Sequence, residues 1–182
     1  MSTIETTSQA LPTGTWNADP VHSHVGFAVE YVGGTFRGTF SPFDATLAVT
    51  ENGATLTGSA PVAGVKVQDD NLTAHLQSPD FFDAERYPGI SFTAKDVSLD
   101  GETVKVEGDL TIKGVTHVAD VTGTVTAPLT DPYGRERIGL KLDTRVDRTQ
   151  FGVDWNNPLP NGEPALANDV TVVAELFFVK SA

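Results

Sequence analysis

The sequence predicts an all-β chain, an antiparallel barrel or sandwich of about eight or more strands, interrupted by one short helical insertion. Three observations predict it. Apolar residues recur at every second position through most of the chain, which is the spacing of a half-buried strand. Gly, Pro, Asn and Asp punctuate these runs at short intervals, as turns between strands require. One stretch alone, Asp70 to Gln77, changes to helical spacing.

The elements follow in order. Residues 1 to 12 are polar and read as a disordered tail. Residues 13 to 182 read as one domain, with no linker and no repeat of solenoid length. The first long strand places Val25, Phe27, Val29 and Tyr31 on one face, and Gly33-Gly34 turns it. Short strands fit Phe36 to Phe40, Ala45 to Thr50, Thr55 to Ala60 and Val62 to Val67. Asp69 or Asp70 caps a helix with Leu72, His75 and Leu76 at helical spacing, and Ser78-Pro79 ends it. A second short turn runs from Asp80 through Arg86, so the insertion spans about residues 70–86. From Ile90 to Leu99 the apolar phase shifts from even to odd positions, which predicts a β-bulge near Lys95-Asp96. Val104, Val106, Leu110 and Ile112 alternate with polar residues, and Gly114 turns the chain into Val115, Ala119, Val121 and Val125. Ile138, Leu140, Leu142 and Val146 give the next strand, and Val170 to Val179 the last.

Composition narrows the function. A chain of 182 residues with 39% hydrophobic and 20% charged residues has enough apolar material for a core without metal or disulfide support. Acidic residues outnumber basic ones 24 to 12, and the net charge of -12 repels a phosphate backbone, so nucleic acid is not an expected partner. It also disfavours anionic lipid surfaces. The chain has no cysteine, which excludes disulfides, thiolate metal sites and a Cys nucleophile. No apolar run is long enough for a transmembrane helix, and stable membrane insertion is not expected. Met1 to Thr15 carries neither a basic region nor an apolar stretch of signal type, so the expected compartment is the cytoplasm.

Around eight strands enclose either a packed core or one small ligand. The small and β-branched residues of the inward faces fit both, and the residue pattern leaves the two open. His22-Ser23-His24 puts two imidazoles on one face of an extended segment, but no third metal ligand is marked and no metal is expected. There is no G-x-S-x-G nucleophile motif, no marked acid-base pair and no phosphate loop, so no catalytic set is assigned. Phe40-Ser41-Pro42-Phe43 and Phe81-Phe82-Asp83 concentrate aromatic rings that can close a barrel mouth or staple the insertion to the barrel. Arg86, Lys113, Arg135, Arg137, Arg145 and Arg148 could bind an anionic headgroup, but Arg145 and Arg148 flank Asp147 and Glu136 lies between Arg135 and Arg137, so pairing with those acids is the expected use.

Six fragments then resemble one family in order. They are Trp16-Asn17-Ala18-Asp19-Pro20-Val21-His22-Ser23-His24-Val25-Gly26-Phe27, Phe36-Arg37-Gly38-Thr39-Phe40, the stretch from His75 to Asp83, Tyr87-Pro88-Gly89-Ile90-Ser91-Phe92, the stretch from Gly108 to Thr116, and Arg148-Thr149-Gln150-Phe151-Gly152-Val153-Asp154-Trp155. Together they resemble the YceI-like family of polyisoprenoid-binding proteins over about residues 14–180. The resemblance implies a lipocalin-like antiparallel barrel with an internal apolar channel for a polyprenyl chain or quinone tail. Channel-lining candidates are Phe27, Val29 and Tyr31 by alternation, with Phe36, Phe40, Phe92, Ile112, Phe151 and Trp155 at matching motifs. Candidate headgroup contacts are His22, His24, Arg37, Arg86 and Arg148. Tyr31 stands where many relatives have His, and many relatives are exported.

The expected function is a non-enzymatic carrier of a long isoprenoid lipid or quinone, with no other cofactor. The acidic excess favours a neutral head over a pyrophosphate. A chain of about eight prenyl units would bind through apolar burial alone. Two alternatives stay open: an enzyme on an isoprenoid or fatty substrate, and a ligand-free stress-response or structural barrel. A homodimer through an apolar outer patch near Phe177 or Val179 is a further expectation.

Overall fold

The computed structural model describes residues 11–181. In chain order the elements are β1 (Gly14–Ala18), β2 (His24–Tyr31), β3 (Gly34–Phe40), β4 (Asp44–Thr50), β5 (Gly53–Pro61), β6 (Val65–Lys66), α1 (Asp70–Gln77), β7 (Gly89–Asp100), β8 (Thr103–Ile112), β9 (Val115–Val125), β10 (Leu129–Thr130), β11 (Glu136–Asp147) and β12 (Leu166–Lys180). Every strand pairing is antiparallel. The order β11-β9-β8-β7-β5-β4-β1-β12 returns to β11 and closes an eight-stranded barrel.

The closing strand β12 is the longest, and its two edges are used differently. One edge pairs with β11 from Asp169 to Val179. The other pairs with β2 from Leu166 to Glu175 and then with β1 from Phe178 to Lys180. β1 and β2 thus share one edge but part company at Asp19 to Ser23. Pro20 has no N–H to give a ladder, and the chain turns there. β1 goes on to β4, whereas β2 pairs with β3, and β3 with β6. The barrel is a closed ring at the β1 end and is extended by the β2-β3-β6 flap and α1 at the other.

Two apolar clusters follow that division. At the ring end Trp16 and Phe178 are both 0% exposed and pack with Leu47, Leu56, Val104 and Ile138. At the flap end Val29, Val65, Leu76, Phe81, Phe151 and Leu166 form the second cluster. The β7 bulge occurs as a register shift between Thr93 and Asp96. It moves the inward face from Phe92 and Ala94 to Val97 and Leu99. Asp69 caps α1, its carboxylate accepting from the Leu72 N–H at 2.9 Å.

Some expectations change. The predicted Val62 to Val67 strand is a 3₁₀ turn over Val62–Gly64 followed by the two-residue β6. Pro61 interrupts the ladder, and Gly64 lies so close to the Ser41 backbone that an added Cβ would stand 2.9 Å from its carbonyl oxygen. The helix of the insertion is confined to Asp70–Gln77, and Asp80 to Arg86 folds as turns, as predicted. Residues 1–10 of the expected tail lie outside the described residues. Leu11 packs on the ring cluster, and the Pro12 carbonyl accepts the Trp16 indole N–H at 3.2 Å. Phe177 faces outward at 43% exposure, with the His22 ring 6.0 Å away. No helix among the described residues is long and apolar enough to cross a membrane.

Candidate functional site

The inward faces do not meet at the barrel axis. They leave a cavity of about 410 Å³ that reaches from the ring cluster into the flap cluster. The alternation of β12 gives it one wall, Val170, Val172, Ala174 and Leu176. β2 supplies Val25, Phe27, Val29 and Tyr31 by the same two-residue period. The nine predicted lining residues, Phe27, Val29, Tyr31, Phe36, Phe40, Phe92, Ile112, Phe151 and Trp155, all border this one space. Leu72, His75, Leu76, Phe81 and Phe82 border it as well and bring the helical insertion into the wall. The helical spacing of Leu72, His75 and Leu76 is the signal that would have marked that inner face. Phe81 and Phe82 serve both readings given to them, as packing for the insertion and as cavity wall.

Aromatic contacts hold the wall in shape. Phe27 lies 6.2 Å from Phe36 and 5.8 Å from Phe40, and Phe40 lies 6.0 Å from Phe82. His75 meets Phe81 at 4.9 Å and Trp155 at 5.1 Å, both nearly edge-on, a geometry that aromatic quadrupoles favour. Two glycines make room for rings. A Cβ on Gly38 would collide with the Phe27 ring, and one on Gly108 would stand 2.5 Å from the Phe92 ring.

The polar residues fall into place differently. Of His22, His24, Arg37, Arg86 and Arg148, only Arg148 borders the cavity. His22 lies in the turn before β2, not on its extended face, and its Nδ1 is 2.7 Å from Asp19. His24 and Arg37 are exposed on the outer faces of β2 and β3. Arg86 is paired with Asp83 at 2.8 Å. Arg148 is 6% exposed, and its guanidinium is consumed by the backbone. Its Nε donates to the Ala167 carbonyl, Nη1 to those of Val153 and Trp155, and Nη2 to that of Leu166. Burial lowers its pKa, against the pull of Asp147 and Asp154. Its expected pairing with Asp147 gives way to this role, because five donors on one planar fork can tie the 148–155 segment to the start of β12.

Three other cations are committed too. Lys113 Nζ donates to the carbonyls of Pro79 and Gly152. Arg137 bridges Asp131 at 2.7 Å and Asp19 at 3.2 Å, and Arg135 also pairs with Asp131. The hydrogen bond from His22 is the largest influence holding the Asp19 pKa down to about 2. Asp131 is held below the usual carboxylate range, chiefly by the Arg137 hydrogen bond. No cluster of three or more His, Cys, Asp or Glu side chains among the described residues is placed to hold a metal ion.

Comparison with known proteins agrees with this architecture. The YceI-like domain profile matches residues 16–178. Protein YceI of Escherichia coli O6:H1 is 29% identical over 136 residues, covering 72% of this chain and 71% of that protein. BcnA of Burkholderia cenocepacia superposes with a TM-score of 0.75 at 21% identity, over 88% of this chain and 98% of that one. A polyisoprenoid binding domain from Saccharophagus degradans, implicated in plant cell wall breakdown, superposes with a TM-score of 0.67 at 14% identity, over 93% of this chain and all of that one (100%).

Proposed function

From the premise that the chain belongs to the YceI-like domain family, we propose that it binds and carries an isoprenoid chain, a prenyl lipid or quinone tail, inside its barrel. The observation that carries this reading is the apolar cavity of about 410 Å³, bordered by Phe, Val, Leu, Ile and Trp side chains from eight strands, α1 and the loops between them. That size falls within the roughly 300–1,000 Å³ of small-molecule sites. Each methylene taken from water into such a space contributes about 0.8 kcal/mol, so the tail supplies the affinity. The polyisoprenoid-binding description of the Saccharophagus domain, which shares this fold, supports the same cargo class.

The volume also sets how much cargo fits. A cavity of roughly 150 Å³ accepts the six carbons of benzene. On that scale about 410 Å³ takes on the order of 16 carbons. That corresponds to about three isoprene units inside, with any longer tail emerging at the flap end. Trp16 and Phe178 stop the tail at the ring end.

The test is native mass spectrometry of protein purified without detergent, followed by solvent extraction. A stoichiometric added mass released as a prenyl lipid or quinone is the expected result. A bare polypeptide mass that stays bare after incubation with prenyl lipids would overturn the reading and favour a ligand-free barrel.

A further inference from the structure

The residues bordering the cavity include ten whose side chains carry a polar group: Tyr31, Asp44, Thr57, Ser59, His75, Ser91, Asp143, Thr144, Arg148 and Trp155. Most are unavailable to a ligand. Asp44, Thr57, Ser59, Ser91 and Asp143 are exposed and alternate with inward-facing neighbours, so they meet the cavity through their backbone. The Thr144 hydroxyl donates to the Asp120 carbonyl. Arg148 is spent on four carbonyls. Three polar tips remain, the Tyr31 hydroxyl at the β2-β3 turn, the Trp155 indole N–H, which can only donate, and the imidazole of His75 on α1.

His75 is set up for a defined task. Its ring is wedged edge-on against Phe81 and Trp155, so its plane is fixed by packing. Its Nε2 lies 3.1 Å from Asp80 Oδ2. A carboxylate only accepts, so in the neutral ring the proton sits on Nε2 and Nδ1 presents a lone pair. Nδ1 has no hydrogen-bond partner among the described residues. A neutral imidazole held in this way takes a hydrogen bond from an O–H and cannot give one from Nδ1.

We propose that His75 reads the head of the cargo, its Nδ1 accepting a hydrogen bond from a hydroxyl at the end of the prenyl chain. The cargo class is therefore a prenyl alcohol or a quinol-type head, not a pyrophosphate, for which no uncommitted Lys or Arg among the described residues borders the cavity. Asp80 is the positioning residue that selects the tautomer. This rests on the carrier reading and narrows it.

The experiment compares geranylgeraniol with its methyl ether, which keeps the tail, adds one methyl group and lacks the donor. Affinities are measured for the native chain and for His75→Phe, which preserves the edge-on packing with Phe81 and Trp155. The ratio of alcohol to ether affinity is expected to fall about tenfold in the variant, the worth of one hydrogen bond in an apolar site. Affinity for the ether should change less than affinity for the alcohol, because the apolar contacts they share remain. The same ratio in both proteins would overturn the assignment, as would an equal loss for both ligands, which would make His75 wall and nothing more. Failure of either ligand to bind the native chain would instead sink the carrier reading, and this inference with it.

Discussion

Ala174→Phe tests whether cargo lies inside the barrel. Ala174 sits midway along the cavity-facing row of β12, between Val172 and Leu176. A phenyl group there projects into the empty space, not into packed atoms. On the scale of the roughly 150 Å³ benzene cavity, the ring takes up about a third of the 410 Å³ available. That displaces about five carbons of cargo, one isoprene unit. At about 0.8 kcal/mol per methylene the loss reaches at most about 4 kcal/mol, nearly a thousandfold in Kd. A tail that shifts toward the flap end recovers part of this, so a loss of at least about tenfold is expected. Because the ring fills a void, the melting temperature should hold or rise. The assay is titration with a prenyl alcohol of three or four isoprene units, with thermal unfolding as the control for folding. Unchanged affinity in a folded variant would refute an interior site and point to binding on the outer surface.

Three further outcomes follow from particular contacts. Gly38→Ala should push the Phe27 ring into the cavity, weakening prenyl binding severalfold while the circular dichroism of the barrel persists, as ligand titration and spectroscopy will show. Arg148→Lys keeps the charge but loses the planar fork, leaving buried carbonyls unpaired. It should destabilise by about 3 kcal/mol in denaturant unfolding, because each unmet buried acceptor costs roughly 1–3 kcal/mol. Asp19, at about 2, and Asp131 titrate below their unfolded values, so the unfolded chain binds more protons in acid. The stability they contribute is present above about pH 4 and is lost as pH falls toward 2. Asp131→Asn should start less stable at neutral pH and lose less melting temperature on acidification than the native chain.

Much of the fold was legible because its cause is local. Alternation on β2, β8, β9 and β11 names the inner face without any knowledge of the partner strand. The bulge in β7 was legible because a one-residue insertion leaves a phase change in the sequence. The aromatic wall residues could be located for the same reason, with family motifs fixing those that alternation alone left open. The charges were not legible. Arg148 finds its partners on Leu166 and Ala167, whose carbonyls carry no sequence signal, and Arg137 finds Asp19 across the barrel seam. The β6 region misled because its Val residues are inward-facing but its backbone is interrupted by Pro61 and pinned by Gly64.

Closure and cavity come from one break in the chain. If β1 and β2 were continuous, β4 and β3 would have to leave the same edge in a single line. The break lets β1 take β4 and close the ring, while β2 takes β3 and widens the wall. The turn that makes the break is fixed at its ends. Asp19 N–H donates to the Phe177 carbonyl at 2.7 Å, and the Ser23 hydroxyl accepts from the Phe177 N–H at 2.9 Å. The Asp19 carboxylate then holds Arg137 of β11, on the far edge of β12. The ion-pair cluster thus fastens β1, β12 and β11 where the ring must close, and the filled floor of Trp16 and Phe178 lies beside it. Polar fastening at the closed end, and at the flap end the Arg148 fork behind the wall, leave the cavity face to apolar side chains, and those are contacts a hydrocarbon chain can replace.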